Sequence, residues 1–146
     1  MNKQAIINLI KFKLSEKIQK LETLISETRA SSNDTKSSMG DKYETGREML
    51  QQEINNLQIQ LNEILKQQDF LKTILPKPSD KAEKGAIVET EKGLFLISVS
   101  LGEIVFEDKK IIAISPESPL AKAMFGKKKS EIFSINNINQ TIKKIW

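Results

Sequence analysis

The chain contains no cysteine and no histidine. Disulfides are thereby excluded, as are zinc sites built from Cys and His. Catalytic arrangements of the Ser-His-Asp or Cys-His kind are excluded too. Acid–base or metal chemistry has only Asp, Glu, Lys and Tyr to draw on. Aromatic residues are scarce at 5%, with one Trp and one Tyr, and hydrophobic residues make up only 38% of 146 positions. That is low for a compact globule and suits a chain that spends residues on a long, exposed hairpin. No apolar run approaches the roughly 20 residues of a membrane span. The N-terminus lacks the apolar core and small-residue cleavage site of a signal peptide. A cytoplasmic protein without membrane contact is expected. The formal net charge of +4 is mildly basic, with both signs interspersed, which suits a partner that is partly nucleic acid. The length fits one or two small domains.

What is present begins with helical periodicity. From Lys3 to about Thr28, Ile7, Ile10, Leu14, Ile18, Leu21 and Ile25 recur at steps of three or four, with no Gly or Pro between them. This is a seam of coiled-coil type, widened near its ends by Leu9, Phe12 and Leu24. About 26 helical residues reach roughly 40 Å. A second seam, Leu50, Ile54, Leu57, Leu61, Ile64, Leu71 and Leu75, predicts a helix from about Tyr43 to Ile74, with only Gln68 polar in the series. Two matched helices joined by a polar turn read as an antiparallel hairpin; the alternative is a helix pair that dimerises with another copy.

The turn-rich stretch between them, near 31–44, holds Ser31, Ser32, Asn33, Asp34, Ser37, Ser38 and Gly40, all of which favour turns and caps. An antiparallel hairpin would make it the tip and would carry Asp34, Asp41 and Glu44 far from the rest of the protein. Asp41 followed three residues later by Glu44 is close to a capping box, so a helix N-cap and a functional carboxylate are both open for Asp41. Lys36, Lys42 and Arg47 suit phosphate contacts or a solvated turn. Tyr43 suits stacking on a base or packing on the hairpin.

Pro76 and Pro78 end the second helix, and the charged residues to Lys84 read as a linker. The expected domains are 1–76, a coiled-coil hairpin, and 85–146, joined by linker 77–84. Beyond Gly85 the period falls to two. Strands are expected at 86–90, 94–99, 104–106, 110–114, 132–135 and 141–146, with turns at Glu91-Lys92-Gly93 and Glu107-Asp108-Lys109. Ser118 as N-cap, Pro119 in the first turn and Gly126 as stop delimit a short helix. The fold class is α+β.

The segment Ile114-Ser115-Pro116-Glu117-Ser118-Pro119-Leu120-Ala121-Lys122-Ala123-Met124-Phe125-Gly126-Lys127-Lys128 resembles the Ser-Pro-Leu-Ala-x-Ala-x-x-Gly-Lys segment of the bacterial Gre transcript cleavage factors. In that family it lies in an FKBP-like C-terminal domain preceded by a long antiparallel coiled coil, the same order as here. The resemblance covers nearly the whole chain. At the tip, Gly40-Asp41-x-x-Glu44 reproduces the family's Gly-Asp-x-x-Glu spacing. Tyr43 and Arg47-Glu48 match the start of its second helix under another anchoring, which makes Asp34 the nearest first acid. The family's Glu-Asn-Ala is absent.

The resemblance implies a factor that inserts its coiled coil into the secondary channel of RNA polymerase. Tip acids there help hold a second Mg²⁺ beside the polymerase's own metal, and the 3′ end of a backtracked RNA is hydrolysed. Asp41 and Glu44 are the implied metal-assisting pair, with Asp34 as substitute. Lys36, Lys42, Tyr43 and Arg47 face polymerase or nucleic acid. Ser118, Pro119, Leu120, Lys122, Phe125 and Lys127 belong to the docking surface. Such a chain is an accessory and not itself an enzyme, and it is expected to be a monomer. Two other readings stand beside this one: a channel-binding regulator that does not promote cleavage, and a plain coiled-coil interaction module.

Overall fold

A computed structural model describes residues 1–34 and 41–146, the side chains of 32–34 and 41–44 excepted. Two long helices, α1 (Lys3–Asp34) and α2 (Asp41–Leu71), precede strands β1 (Ile87–Thr90), β2 (Gly93–Ile97), β3 (Gly102–Phe106) and β4 (Lys109–Ile114). A short helix α3 (Pro119–Met124) follows, then β5 (Ile132–Ile135), β6 (Ile138–Thr141) and β7 (Lys144–Ile145). The architecture is the expected α+β one, a helical hairpin followed by a β-rich domain.

The chain forms two compact units, and their border is not at Pro76. Phe12–Gln68 is one, the shaft; Met1–Lys11 with Asp69–Trp146 is the other, the root. The physical reason is burial. Ile6, Ile7, Ile10, Leu71 and Ile74 are almost wholly enclosed, and all five belong to the unit that holds the sheet. Ile6 and Ile7 adjoin in sequence, so the first turns of α1 are buried over a wider arc than a coiled-coil seam requires. Asn2 caps α1, its Oδ1 accepting from the Ala5 N–H at 3.0 Å, which satisfies one of the amides left without a helical acceptor.

In the shaft, the seam forms as its spacing predicts. Leu21 and Ile25 of α1 cluster with Ile54 and Leu61 of α2, flanked by Ile18, Leu57 and Ile64. Phe12 and Leu24 do not widen it. Phe12 is 61% exposed, because it sits two residues from both Ile10 and Leu14, roughly 200° round the helix from them. Helix α1 also continues past Thr28 to Asp34, through Ser and Asn positions expected to turn. Interior Ser and Asn cost a helix only about 0.5 kcal/mol each relative to Ala, too little to stop one already running.

In the root, five strands form a sheet in the order β3-β4-β2-β1-β7, and β5 pairs with β6 separately. All neighbours are antiparallel except β2 and β4, which run parallel with Phe95 opposite Ile112. Glu107 and Asp108, with φ of 49° and 63°, make the two-residue turn between β3 and β4; Asn136 and Asn137, at 53° and 64°, do the same between β5 and β6. Positive φ at both central positions is the twist-matched hairpin turn. One sheet face, through Val88, Phe95 and Ile97, packs with Ala121 and Met124 of α3 and with Phe133 and Ile142. On the other face Ile87, Leu96, Ile104, Ile111 and Ala113 are buried as well.

The segment read as a linker is anchored. Ala82 is buried, its N–H donates to the Lys127 carbonyl at 2.8 Å, and its carbonyl accepts from the Gly126 N–H at 2.8 Å. The separate β5–β6 pair is fastened to the main sheet by side chains. Thr90 Oγ1 donates to Gln140 Oε1 at 2.8 Å, and the Thr141 N–H reaches both carboxylate oxygens of Glu91, at 3.0 and 2.8 Å.

The Thr141 amide, chiefly, holds the Glu91 carboxyl below its ordinary range. A carboxylate with a depressed folded-state pKa contributes stability above its unfolded pKa, and that contribution is lost as pH falls through the folded value. Glu91→Gln is therefore expected to lower Tm at pH 7. The gap to wild type should close as pH drops below about 4.3, the ordinary glutamate value. Thermal melts of both proteins from neutral to acid pH check this; a gap independent of pH would contradict it.

Candidate functional site

Two surfaces follow from the sequence: the hairpin tip and the Ser118–Lys127 segment. At the tip, Lys36 lies outside the described residues; Asp34 ends α1 and Asp41, Lys42, Tyr43 and Glu44 open α2, with their side chains outside what is described. Arg47, on α2, is half-buried. Among the described residues no group of three or more Asp or Glu side chains converges to hold a metal. The candidate donors at the tip are all carboxylates, and Mg²⁺ takes oxygen ligands, often one or two carboxylates completed by water and phosphate. The donor set thus fits that ion in kind.

The second surface is built from local chemistry. Ser118 has extended backbone angles, φ −65° and ψ 149°, and its Oγ accepts from the Ala121 N–H at 3.2 Å. Pro119 follows at the start of α3, where a missing N–H costs nothing. Gly126, with φ of +77°, takes the left-handed conformation that glycine adopts without strain. These positions fix which side chains of α3 turn inward. Ala121 and Met124 are buried in the core, and Leu120 and Ala123 pack against it. Lys122 points outward, its ammonium 4.0 Å from Glu117 in an exposed pair of small energetic weight. Phe125 is 71% exposed.

Of the expected docking residues, then, Ser118 and Pro119 shape the helix and Leu120 supports the core. Lys122 and Phe125 present themselves to solvent, and Lys127 is half-buried. Lys127 is held by its backbone, the N–H donating to the Met124 carbonyl at 2.9 Å.

Phe125 borders a cleft of about 490 Å³ that Leu75, Lys77, Glu83 and Lys84 also line. Lys84 is positioned by two contacts, with its ammonium 5.5 Å from the centre of the Phe70 ring and 3.2 Å from Thr73 Oγ1. Sequence reasoning placed Leu75 in the α2 seam. It is 59% exposed, because α2 ends at Leu71. The signal was Pro76, which disfavours helical geometry at the residue before it. The result is a mixed surface: two exposed apolar side chains amid lysines.

Architecturally the chain is a helical hairpin followed by a β-rich domain carrying this surface. No family model and no curated protein matches it. Among solved structures it is similar to the GreA factor homolog 1 (Gfh1) of Thermus thermophilus, at 18% identity over 93% of this chain and 94% of that one, TM-score 0.39. It is also similar to Gfh1 of Thermus aquaticus, at 18% identity over 91% of each chain, TM-score 0.36. A further structure of the transcription factor Gfh1 gives 14% identity over 91% and 89%, TM-score 0.37.

The division of labour within Ser118–Lys127 can be measured. Met124→Ala is expected to cost about 2–5 kcal/mol by urea denaturation, the range for emptying a buried apolar site. Phe125→Ser should stay within about 0.5 kcal/mol, as for exposed positions. A Phe125→Ser loss as large as that of Met124→Ala would show that the ring is a core element.

Proposed function

We propose that the chain is a Gre-type accessory factor of RNA polymerase, entering by the secondary channel and stimulating cleavage of backtracked RNA. The observation that carries the proposal is the joint one: a long helical hairpin, then a β-rich domain in which the Ser118–Lys127 segment forms α3 with Lys122 and Phe125 outward. The domain is read as FKBP-like in use as a docking head, with no isomerase activity, since a fold does not carry a function by itself.

In this mechanism the chemistry belongs to the polymerase. Asp41 and Glu44, with Asp34 as substitute, present carboxylate oxygens beside the polymerase's metal and help hold a second Mg²⁺. When bound, that ion lowers the pKa of a water and stabilises charge at the scissile phosphate. Lys36, Lys42 and Arg47 meet phosphates or the channel wall, and Tyr43 stacks on the displaced RNA end. Phe125, Leu75 and the neighbouring lysines contact the outside of the polymerase. The protein acts as a monomer and has no hydrolytic activity alone.

A second reading has one observation in its favour. The family's Glu-Asn-Ala is missing from the tip, which favours a factor that occupies the channel without promoting cleavage.

One assay separates the two. On a halted, backtracked polymerase complex supplied with Mg²⁺, the wild-type chain is expected to shorten the RNA from its 3′ end. Asp41→Ala with Glu44→Ala is expected to bind and leave the RNA intact. Equal cleavage by both would reject the assigned pair. Binding without cleavage by the wild type would establish the second reading.

A further inference from the structure

The root unit holds a second cleft, of about 470 Å³, lined by Lys3, Gln4, Pro76, Pro78, Ser79 and Trp146 among others. Its unusual member is Lys3. The residue is only 6% exposed, although lysines are almost never fully buried unless paired. Its ammonium donates to the Lys77 carbonyl at 2.8 Å and to Ser79 Oγ at 3.3 Å. Both acceptors are neutral. Among the described residues no carboxylate comes within ion-pair distance of it. An ammonium has three N–H groups, so one remains. The carboxylate that acts on it, Glu83, makes no direct ion pair with it; a buried charge so weakly compensated is costly, and an anion in the cleft would relieve that cost.

The surroundings favour the same sign. Lys3 and Gln4 open α1, a helix of 32 residues, and their amides have no acceptor within it. The positive end of the helix dipole lies there as well. Pro76, Pro78 and Trp146 supply apolar walls. The Lys144 ammonium sits 4.7 Å from the centre of the Trp146 ring, a cation–π contact that steadies the indole and adds a positive charge beside it. The cleft falls in the size range of small-molecule sites, mostly apolar with a few placed polar groups.

We propose that this cleft binds a small aromatic anion, with its carboxylate or phosphate on the Lys3 ammonium and its flat ring against Trp146. Burial already lowers the Lys3 pKa, with the charge of Glu83 acting in the opposite direction; a bound anion raises it. The site shares Ser79 with the Phe125 cleft, includes no tip residue, and does not depend on the transcription reading.

Phenyl phosphate titrated into the full chain tests the proposal, followed by the fluorescence of Trp146, the only tryptophan present. A saturable change is expected. Lys3→Met, which keeps the apolar stem and removes the charge, should weaken it by about tenfold or more, the order expected for losing one charge-assisted contact. Inorganic phosphate, lacking the ring, should also bind at least about tenfold more weakly. Amide NMR of the wild type locates the ligand without relying on a variant, with Lys3 and Gln4 expected to shift most. No saturable change, Lys3→Met binding as tightly as wild type, inorganic phosphate binding as tightly as phenyl phosphate, or amide shifts elsewhere would each overturn it.

Discussion

The burial of the helix roots is the constraint on which the rest of the structure depends. Ile6, Ile7 and Ile10 at the start of α1, with Leu71 at the end of α2 and Ile74 just beyond it, lose nearly all contact with water. Each such side chain contributes roughly 1.5–3 kcal/mol by leaving solvent. They do so in the unit that contains the sheet, and α1 runs on from there as one uninterrupted helix to Asp34. The first turns of α1 and the end of α2 thus belong to the sheet-bearing unit. The segment after Pro76 is itself held, through Ala82 and its paired bonds to Gly126 and Lys127.

Within the sheet-bearing unit, the Phe125 cleft and the Lys3 cleft share one physical account. The same backbone bonds that hold Ala82 fix Gly126 and Lys127, and so the place where α3 ends and Phe125 emerges. The early end of α2 releases Leu75 onto the same cleft. Lys3 bonds the opening of α1 to the Lys77–Ser79 stretch. Polar contacts at the root therefore have a structural part as well as whatever they bind. In the shaft, by contrast, the seam of Leu21, Ile25, Ile54 and Leu61 carries the packing, and polar contacts such as Gln51 to Asn55 are exposed.

Features governed by local chemistry were legible in the residues. The 3.6-residue period gave both helices, and Ser118, Pro119 and Gly126 marked α3 because each acts on its own turn. Glu107-Asp108 marked a hairpin. Asn136-Asn137 carries the same kind of signal, yet β6 (Ile138–Thr141) falls outside the expected strands except at Thr141. What could not be read was set by distant parts of the chain. The parallel pairing of β2 with β4 depends on where β3 goes. The burial of Ile6 and the anchoring of Ala82 depend on partners more than 40 residues away in sequence. Phe12 and Leu75 show the opposite failure, apolar residues assigned to a seam that the helix phase or a proline takes them out of. Of the six residues expected in the docking surface, Lys122 and Phe125 are exposed, but the residues alone did not set them apart from Leu120, and the cleft that Leu75, Lys77 and Lys84 make beside Phe125 required the fold. The side chains of the tip carboxylates lie outside what is described.

Native-state hydrogen exchange tests the rooting most directly, because amides that open together report one cooperative unit. The account predicts that the amides of Ile7, Ile10 and Leu71 exchange with the same opening free energy as Phe95 and Leu96 in the sheet, and that those of Leu21, Ile25, Ile54 and Leu61 form a separate group. Root amides that instead exchange with the shaft group, leaving the sheet to open alone, would contradict it.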